Sequence, residues 1–250
     1  MSEYDNPHDR PEAVHERSAQ EDPWVMYLVV RRERLPSLAE TVCAGAVAAV
    51  DCVAGWRDDP TWREGFDAWL ARSFRKVCLR ANEKDWARLA TYDRGVGLAR
   101  AEPVVAALPP RKKSQRDKLL VHLQAFATGE HAEAPPPREL PHAMRLVLNG
   151  DLAMSTGKAV AQAAHASLHA LAAFGADDPD GVARWRLAGM PCELRRATGR
   201  EWAALKAVER VAVVRDAGLT EIAPGSETFL AMAPSDRGRW SSAYLSLPTM

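Results

Sequence analysis

Two short stretches carry residue types that packing alone would not select. In 150–166, GDLAMSTGKAVAQAAHA, Asp151 ends an apolar run and a Ser/Thr/Gly loop follows. Lys158 then opens a helix-like stretch, with Gln162 four residues on and His165 seven residues on. Those spacings place all three on roughly one helical face, a turn apart. A helix start offers free backbone N–H groups and a partial positive charge, so the loop at Gly157 could hold a phosphate, with Lys158 as a mobile cation. The spacing is not GxxxxGK[ST], so no nucleotide triphosphatase P-loop is present. Taken singly, Lys and Gln on a helix face are more often solvated, and a His among alanines is more often packed and hydrogen-bonded. The second stretch, 215–234, reads RDAGLTEIAPGSETFLAMAP. Asp216 ends an apolar run, Thr220 follows, and Ala223-Pro224-Gly225-Ser226 makes a turn. Small and polar residues at this density between strands serve either a binding loop or a long hairpin connection.

The elements that must position these residues occur twice. WLARSFRKVCLRANEKDW (69–86) and WRLAGMPCELRRATGREW (185–202) align Trp69 with Trp185, Arg80-Ala81 with Arg196-Ala197, and Trp86 with Trp202. Ahead of them, apolar WVMYLVV (24–30) precedes Ala-rich 39–56, just as MRLVL (144–148) precedes Ala-rich 157–174. In the latter, Val160, Ala164, Ser167, Leu168 and Leu171 share one face, and small alanines let the helix lie close to a sheet. The runs 210–218 and 228–234 alternate or run apolar like half-buried strands. Each copy therefore reads as a three-layer α/β/α unit with a mixed four-stranded sheet, and the chain as two similar domains. We expect an acidic disordered tail over 1–23, a first domain over 24–130, a Pro-rich linker over 131–142 and a second domain over 143–250. The first domain is expected to end in a helix with Leu119, Leu120, Leu123 and Phe126 on its apolar face. Its basic first turn, with Arg111, Lys112 and Lys113, opposes the helix dipole and is either solvated or set towards an anionic ligand.

Bulk composition excludes little more. With 47% hydrophobic and 26% charged residues, the 250-residue chain reads as an ordinary globular protein. Its formal net charge of zero hides a balance of −5 over residues 1–23 and +5 over the rest. A mildly basic body permits a nucleic-acid partner without demanding one. No apolar run approaches the roughly 20 residues of a membrane span, and the start lacks the features of a secretory signal. Cys43, Cys52, Cys78 and Cys192 lack CxxC spacing, which argues against a zinc ribbon or redox dithiol and for a reduced, cytoplasmic protein.

From the strand at 144–148 to Pro234 the chain resembles the type 2 peptidyl-tRNA hydrolases. The resemblance is carried by Gly157-Lys158, by the spacing Lys158…Gln162…His165-Ala166, and by the loop from Asp216 to Thr228, DAGLTEIAPGSET. It implies hydrolysis of the ester between a peptide and the 3′ ribose of tRNA, with no metal or organic cofactor. By position it implies a catalytic set of Lys158, Gln162, His165, Asp216 and Thr220, with Gly157 and the Gly225-Ser226 turn near the substrate. Such a reaction needs an oriented water, a proton acceptor and donors for the oxyanion. Asp216 fits the acceptor, Lys158 the oxyanion or phosphate contact, and Thr220 and Gln162 the hydrogen bonds. Ser226 lacks the GxSxG elbow of a nucleophile. The sequence departs from the family pattern at Thr156, Ala163, Leu219 and Glu221; two cations are lost and an anion gained, which weakens attraction to RNA. In the first copy Glu40, Ala44 and Val47 fall where Lys158, Gln162 and His165 stand, and no DAGxT loop follows. Since the family pairs as homodimers, the first copy is expected to take the partner's place, giving a monomer with one site and an internal pseudo-dimer. A non-catalytic tRNA- or protein-binding role, or an esterase acting on another acyl-tRNA, remains open at this point.

Overall fold

The computed structural model describes residues 22–33, 35–135, 140, 142–208, 210–234, 244 and 247. Most of the expected acidic tail, residues 1–21, lies outside them. Strand β1 (Trp24–Arg31) is buried almost throughout because both of its faces are covered. Met26, Leu28 and Val30 share a core with helix α1 (Leu38–Trp56). Val25, Tyr27 and Val29 meet Leu89 of α3 (Glu83–Leu89) and Leu119 and Leu120 of α4 (Lys118–His122) on the other side.

Ser37 and Glu40 form a capping box that starts α1, each side chain accepting from the other's backbone N–H. At 19 residues and a mean hydropathy of 1.6, α1 has the length and composition of a membrane span, contrary to the expectation that no such run exists. Its apolarity has a local cause. One side lies on the first sheet and the other packs on α5 (Thr156–Phe174), where Ser167 Oγ donates to Ala46 O at 3.1 Å.

After α1 come α2 (Arg63–Ala68), one π-turn (Trp69–Ser73), β2 (Arg75–Ala81), α3, β3 (Gly95–Ala99), β4 (Glu102–Lys112), α4 and β5 (Gln124–Ala125). The first sheet has the order β3-β4-β1-β2-β5, with β1 and β2 parallel and the other pairs antiparallel. The second half adds β6 (Met144–Asn149), α5, α6 (Pro179–Leu187), β7 (Cys192–Ala197), α7 (Gly199–Lys206), β8 (Ala212–Arg215) and β9 (Glu227–Met232). Its sheet, β7-β6-β9-β8, has the order and directions of β2-β1-β4-β3. The correspondence reaches single residues. Met26 pairs with Lys76 as Met144 pairs with Cys192, and the third and fourth strands slip register at Gly97/Leu98 and at Val214/Arg215. Trp69 Nε1 donates to Arg75 O at 2.8 Å, and Trp185 Nε1 to Pro191 O at 2.9 Å. The first sheet departs from the expected four strands by the addition of β5.

The basic helix turn expected at Arg111–Lys113 is not there. Arg111 and Lys112 end strand β4, Lys113 opens a short 3-10 turn, and α4 begins at Lys118 with Asp117 as its cap. The strand runs through Pro109 and Pro110, although proline inside a strand interrupts the ladder. Here they stand where the β1–β4 register shifts between Val25 and Tyr27, and beyond the end of β3, whose last partner in that direction is Ala107. Both missing N–H groups are thereby tolerated. The Arg111 side chain is only 11% exposed, its guanidinium stacks 5.0 Å from the Trp62 ring, and burial pushes its pKa down.

The connection between the halves carries no helix or strand over 126–135, yet it is tied down along its length. Phe126 N donates to Cys78 O, Ala132 N to Leu35 O, and the His131 ring spans Pro36 O and Thr156 Oγ1 at 2.9 and 3.2 Å. Most of the proline run, 136–139, lies outside the described residues.

Candidate functional site

The second sheet brings two distant segments together at its edge. Helix α5 begins at Ser155, whose Oγ accepts from Lys158 N at 3.2 Å. Past the register shift in β8 the chain turns inward at Asp216. There Asp216 N donates to Ser226 O at 2.8 Å and Gly225 N returns a bond to Asp216 O at 2.7 Å. The residues expected near the substrate at Gly225-Ser226 thus close the base of the loop through their backbone. Within the loop Gly218 N donates to Asp216 Oδ2 at 2.9 Å. Gly218 has a φ of +73°, and a Cβ there would lie 2.3 Å from Pro224, so both conformation and space demand glycine.

Asp216 is the centre of the constellation. Lys158 Nζ donates to Asp216 Oδ1 and, at 3.1 Å, to Thr220 Oγ1. Gln162 Nε2 reaches the same Oδ1 at 2.7 Å. Because the Asp216 carboxylate only accepts, it sets the direction of the Gln162 amide, whose Oε1 then faces Thr228 Oγ1 on β9 at 2.9 Å. The Asp216 side chain is 4% exposed and that of Lys158 10%, while Thr220 stands exposed at the mouth. A carboxylate has about four acceptor positions and an ammonium three donors. Two positions on Oδ1 and one on Oδ2 are filled, leaving one on Oδ2 for a water. Lys158 has two N–H groups placed and a third free to meet an oxygen outside. Because Thr220 Oγ1 accepts from Lys158, its own hydrogen can point outward as a donor.

Four of the expected residues, Lys158, Gln162, Asp216 and Thr220, therefore form one network. His165 is 9% exposed, and its ring meets Phe74 edge-on at a centroid distance of 4.7 Å. Gly157 is not an open phosphate cradle. Its N–H donates to Ala127 O at 2.8 Å, and a Cβ there would lie 1.7 Å from Phe126 O, so the connecting segment sits directly on the first turn of α5. Lys158 N is likewise taken by Ser155, so these two N–H groups are already bonded within the chain. Arg111, Lys112 and Lys113 lie by the start of β1, the opposite end from the strand terminus that leads into α1.

Sequence reasoning named two further members, Glu221 and Thr228, but gave neither a role. Glu221 accepts from Ser155 N at 2.9 Å and from Ser155 Oγ at 2.6 Å, so the carboxylate read as a departure ties the loop to the helix start. Thr228 closed the motif that carries the family resemblance, and its contact with Gln162 is what gives it a place in the network. In the N-terminal half the corresponding place is closed. Ala99, which follows the shared register shift, stands where Asp216 does, and two residues of positive φ, Arg100 and Ala101, replace the loop 217–226. Arg100 forms a two-pronged ion pair with Glu40 at 2.9 and 3.0 Å, reversing the charges of Lys158 and Asp216.

The family model described as "Peptidyl-tRNA hydrolase PTH2" matches residues 142–248. The chain is 30% identical over 146 residues to the human protein named peptidyl-tRNA hydrolase 2, mitochondrial, covering 56% of this chain and 77% of that one. It is 36% identical over 96 residues to a peptidyl-tRNA hydrolase of Thermococcus onnurineus, covering 36% of this chain and 81% of that one. With a probable peptidyl-tRNA hydrolase 2 of Schizosaccharomyces pombe it shares 38% identity over 97 residues, 36% of this chain and 47% of the other.

Proposed function

Because the chain belongs to the type 2 peptidyl-tRNA hydrolase family, we propose that it hydrolyses the ester joining a peptide to the 3′ ribose of tRNA. The observation that carries this reading is the single network of Lys158, Gln162, Asp216 and Thr220, built from the two motif segments. Asp216 Oδ2 takes a water and accepts its proton as the water attacks the ester carbonyl. The third N–H of Lys158 and the Thr220 hydroxyl stabilise the oxyanion, and Gln162 holds the carboxylate in place. The tetrahedral intermediate collapses with loss of the ribose 3′ oxygen, which takes up the proton held by Asp216 and restores its carboxylate. The proposal calls for neither metal nor organic cofactor. A reducing, cytoplasmic setting belongs to it, supported by four cysteines that are all free thiols.

The test is release of peptide from an N-acylated aminoacyl-tRNA by the purified protein, beside Asp216→Asn and Lys158→Ala. Loss of the base should cost about 10²–10⁴-fold and loss of an oxyanion donor about 10²–10³-fold in kcat. Retention of wild-type kcat in Asp216→Asn would remove Asp216 from the mechanism, and no turnover by wild type would remove the function.

We also propose that the N-terminal half descends from a second copy of the same unit and fills the place of a partner subunit. Matching strand order, register and tryptophan bonds support this, as does the core shared between α1 and α5. The protein should then sediment as a monomer at micromolar concentration; a tight dimer would count against it.

A further inference from the structure

The N-terminal half holds a second place suited to an anion. Arg32, Arg80, Asn82, His122 and Gln124, together with Asp85, line a cleft of about 160 Å³. The fold gathers them at one end of the first sheet. Arg32 directly follows β1, Asn82 follows β2 as the cap of α3, and β5 sets Gln124 beside Arg80. This is the carboxyl end of the parallel pair β1 and β2, where open α/β sheets bind their ligands. Lys158 stands beyond the corresponding end of β6.

Charge favours an anion there. Arg80 donates to Gln124 Oε1, a neutral acceptor, and among the described residues no carboxylate lies within ion-pair distance of it. The Arg32 guanidinium pairs with its half-buried neighbour Glu33 at 3.1 Å. The cleft's one carboxylate, Asp85, is already engaged by Arg88 at 3.3 Å and by His122 at 3.8 Å. The equivalent place in the C-terminal half is filled by the chain itself. There Arg196 donates to Gly150 O at 2.7 Å, and the Asp151 carboxylate accepts from Gly199 N at 2.8 Å.

The cleft is also close to the reaction site. Gln124 is three residues from Ala127, whose carbonyl accepts from Gly157 N beside Lys158. Three residues of chain span at most about 11 Å. A polyanion whose acylated end lies at Lys158 is therefore within reach of Arg80.

We propose that this cleft binds a backbone phosphate of the RNA whose acylated end is cleaved at Lys158. The non-catalytic half thereby positions the substrate, since phosphate contacts set register and orientation. A guanidinium fork suits a phosphate better than a lysine does. The inference rests on the reading of the substrate as a tRNA ester.

The experiment measures binding of deacylated tRNA against salt for wild type, Arg80→Ala, Arg32→Ala and the double variant. Arg184→Ala, an exposed position on α6, serves as the control, and single-turnover hydrolysis is followed on the same proteins. Each arginine removed should lower the slope of log K against log salt by about one, a fourfold smaller loss of affinity between 50 and 200 mM salt. KM for the full tRNA substrate should rise while the saturated single-turnover rate holds. Arg80→Lys, which keeps the charge, should keep most of the slope, and that rescue separates phosphate contact from damage to the fold. Slopes equal to wild type in both alanine variants, or absence of tRNA binding by wild type, would overturn the proposal. Altered slopes with no hydrolysis by any protein would leave the cleft standing and sink the hydrolase reading instead.

Discussion

Substituting Gly157 by alanine separates the seat of the connecting segment from ordinary helix energetics. Within a helix that change alone gains about 0.5–1 kcal/mol, because glycine loses more freedom on folding. At this position the new Cβ would lie 1.7 Å from Phe126 O, whereas real Cβ atoms essentially never come within 3.0 Å, so backbone must move by at least 1.3 Å. Moving that carbonyl breaks the bonds Gly157 N to Ala127 O and Phe126 N to Cys78 O, each worth about 1 kcal/mol. It also loosens the Phe126 side chain, 5% exposed, whose full burial is worth about 1.5–3 kcal/mol. After the helix gain is subtracted, the net loss should be about 2.5–4.5 kcal/mol. That lowers the melting temperature by roughly 5–18 °C in a chain of this size. Lys158 is the next residue, and a shift of about 1 Å there should reduce turnover about 100-fold. Urea and thermal unfolding provide the first readout and single-turnover hydrolysis the second. A variant as stable as wild type, or more stable by the helix increment, would refute the reasoning.

Two further outcomes follow from charges the structure places. Burial acts to raise the pKa of the Glu40 carboxyl, but bonds from Arg100 and Ser37 outweigh it, so it titrates below its ordinary value. Its stabilisation is therefore complete above about pH 4.3 and is lost as pH falls through the folded value. Glu40→Gln should be less stable than wild type at pH 7, with the gap closing as pH falls through the folded value; a gap unchanged in acid would refute this. Glu221→Ala frees Ser155 from the loop and should lower kcat about tenfold without raising KM, because an anion beside the RNA is lost as well. Glu221→Gln, whose amide oxygen still accepts from Ser155 N, should recover most of that rate. Turnover improved in Glu221→Ala would show the carboxylate to be a hindrance rather than a tie.

The site was legible where its chemistry is carried by local segments. Lys158 and Gln162 stand one turn apart on a helix, and Asp216 and Thr220 share one loop, so spacing alone brings each pair close. The strand and helix order was legible too, because β1 and β6 are apolar runs and α1 and α5 are alanine-rich. What stayed hidden depends on contacts whose sequence signal is weak or points elsewhere. Backbone carbonyls of Phe126 and Ala127 seat α5, and any residue could supply them. Arg111 and Lys112 looked like a helix start because helical spacing follows them at Leu119, Leu120, Leu123 and Phe126, whereas the strand they end is accommodated by the β1 register shift opposite. The spacing gave the helical face of His165 but not the Phe74 ring laid against it, a neighbour from the N-terminal half that no reading of the second half could foresee.

The packing of α1 on α5 also has a consequence for dilution. Two separate subunits joined through the same helices would part once their concentration fell below the dissociation constant, and a site needing both would weaken in proportion. Within one chain each helix meets its partner at an effective concentration set by the connecting segment, however few molecules are present. The geometry at Lys158 and Asp216 is thus independent of copy number, and specific activity per molecule should stay constant down to the lowest concentration at which it can be assayed.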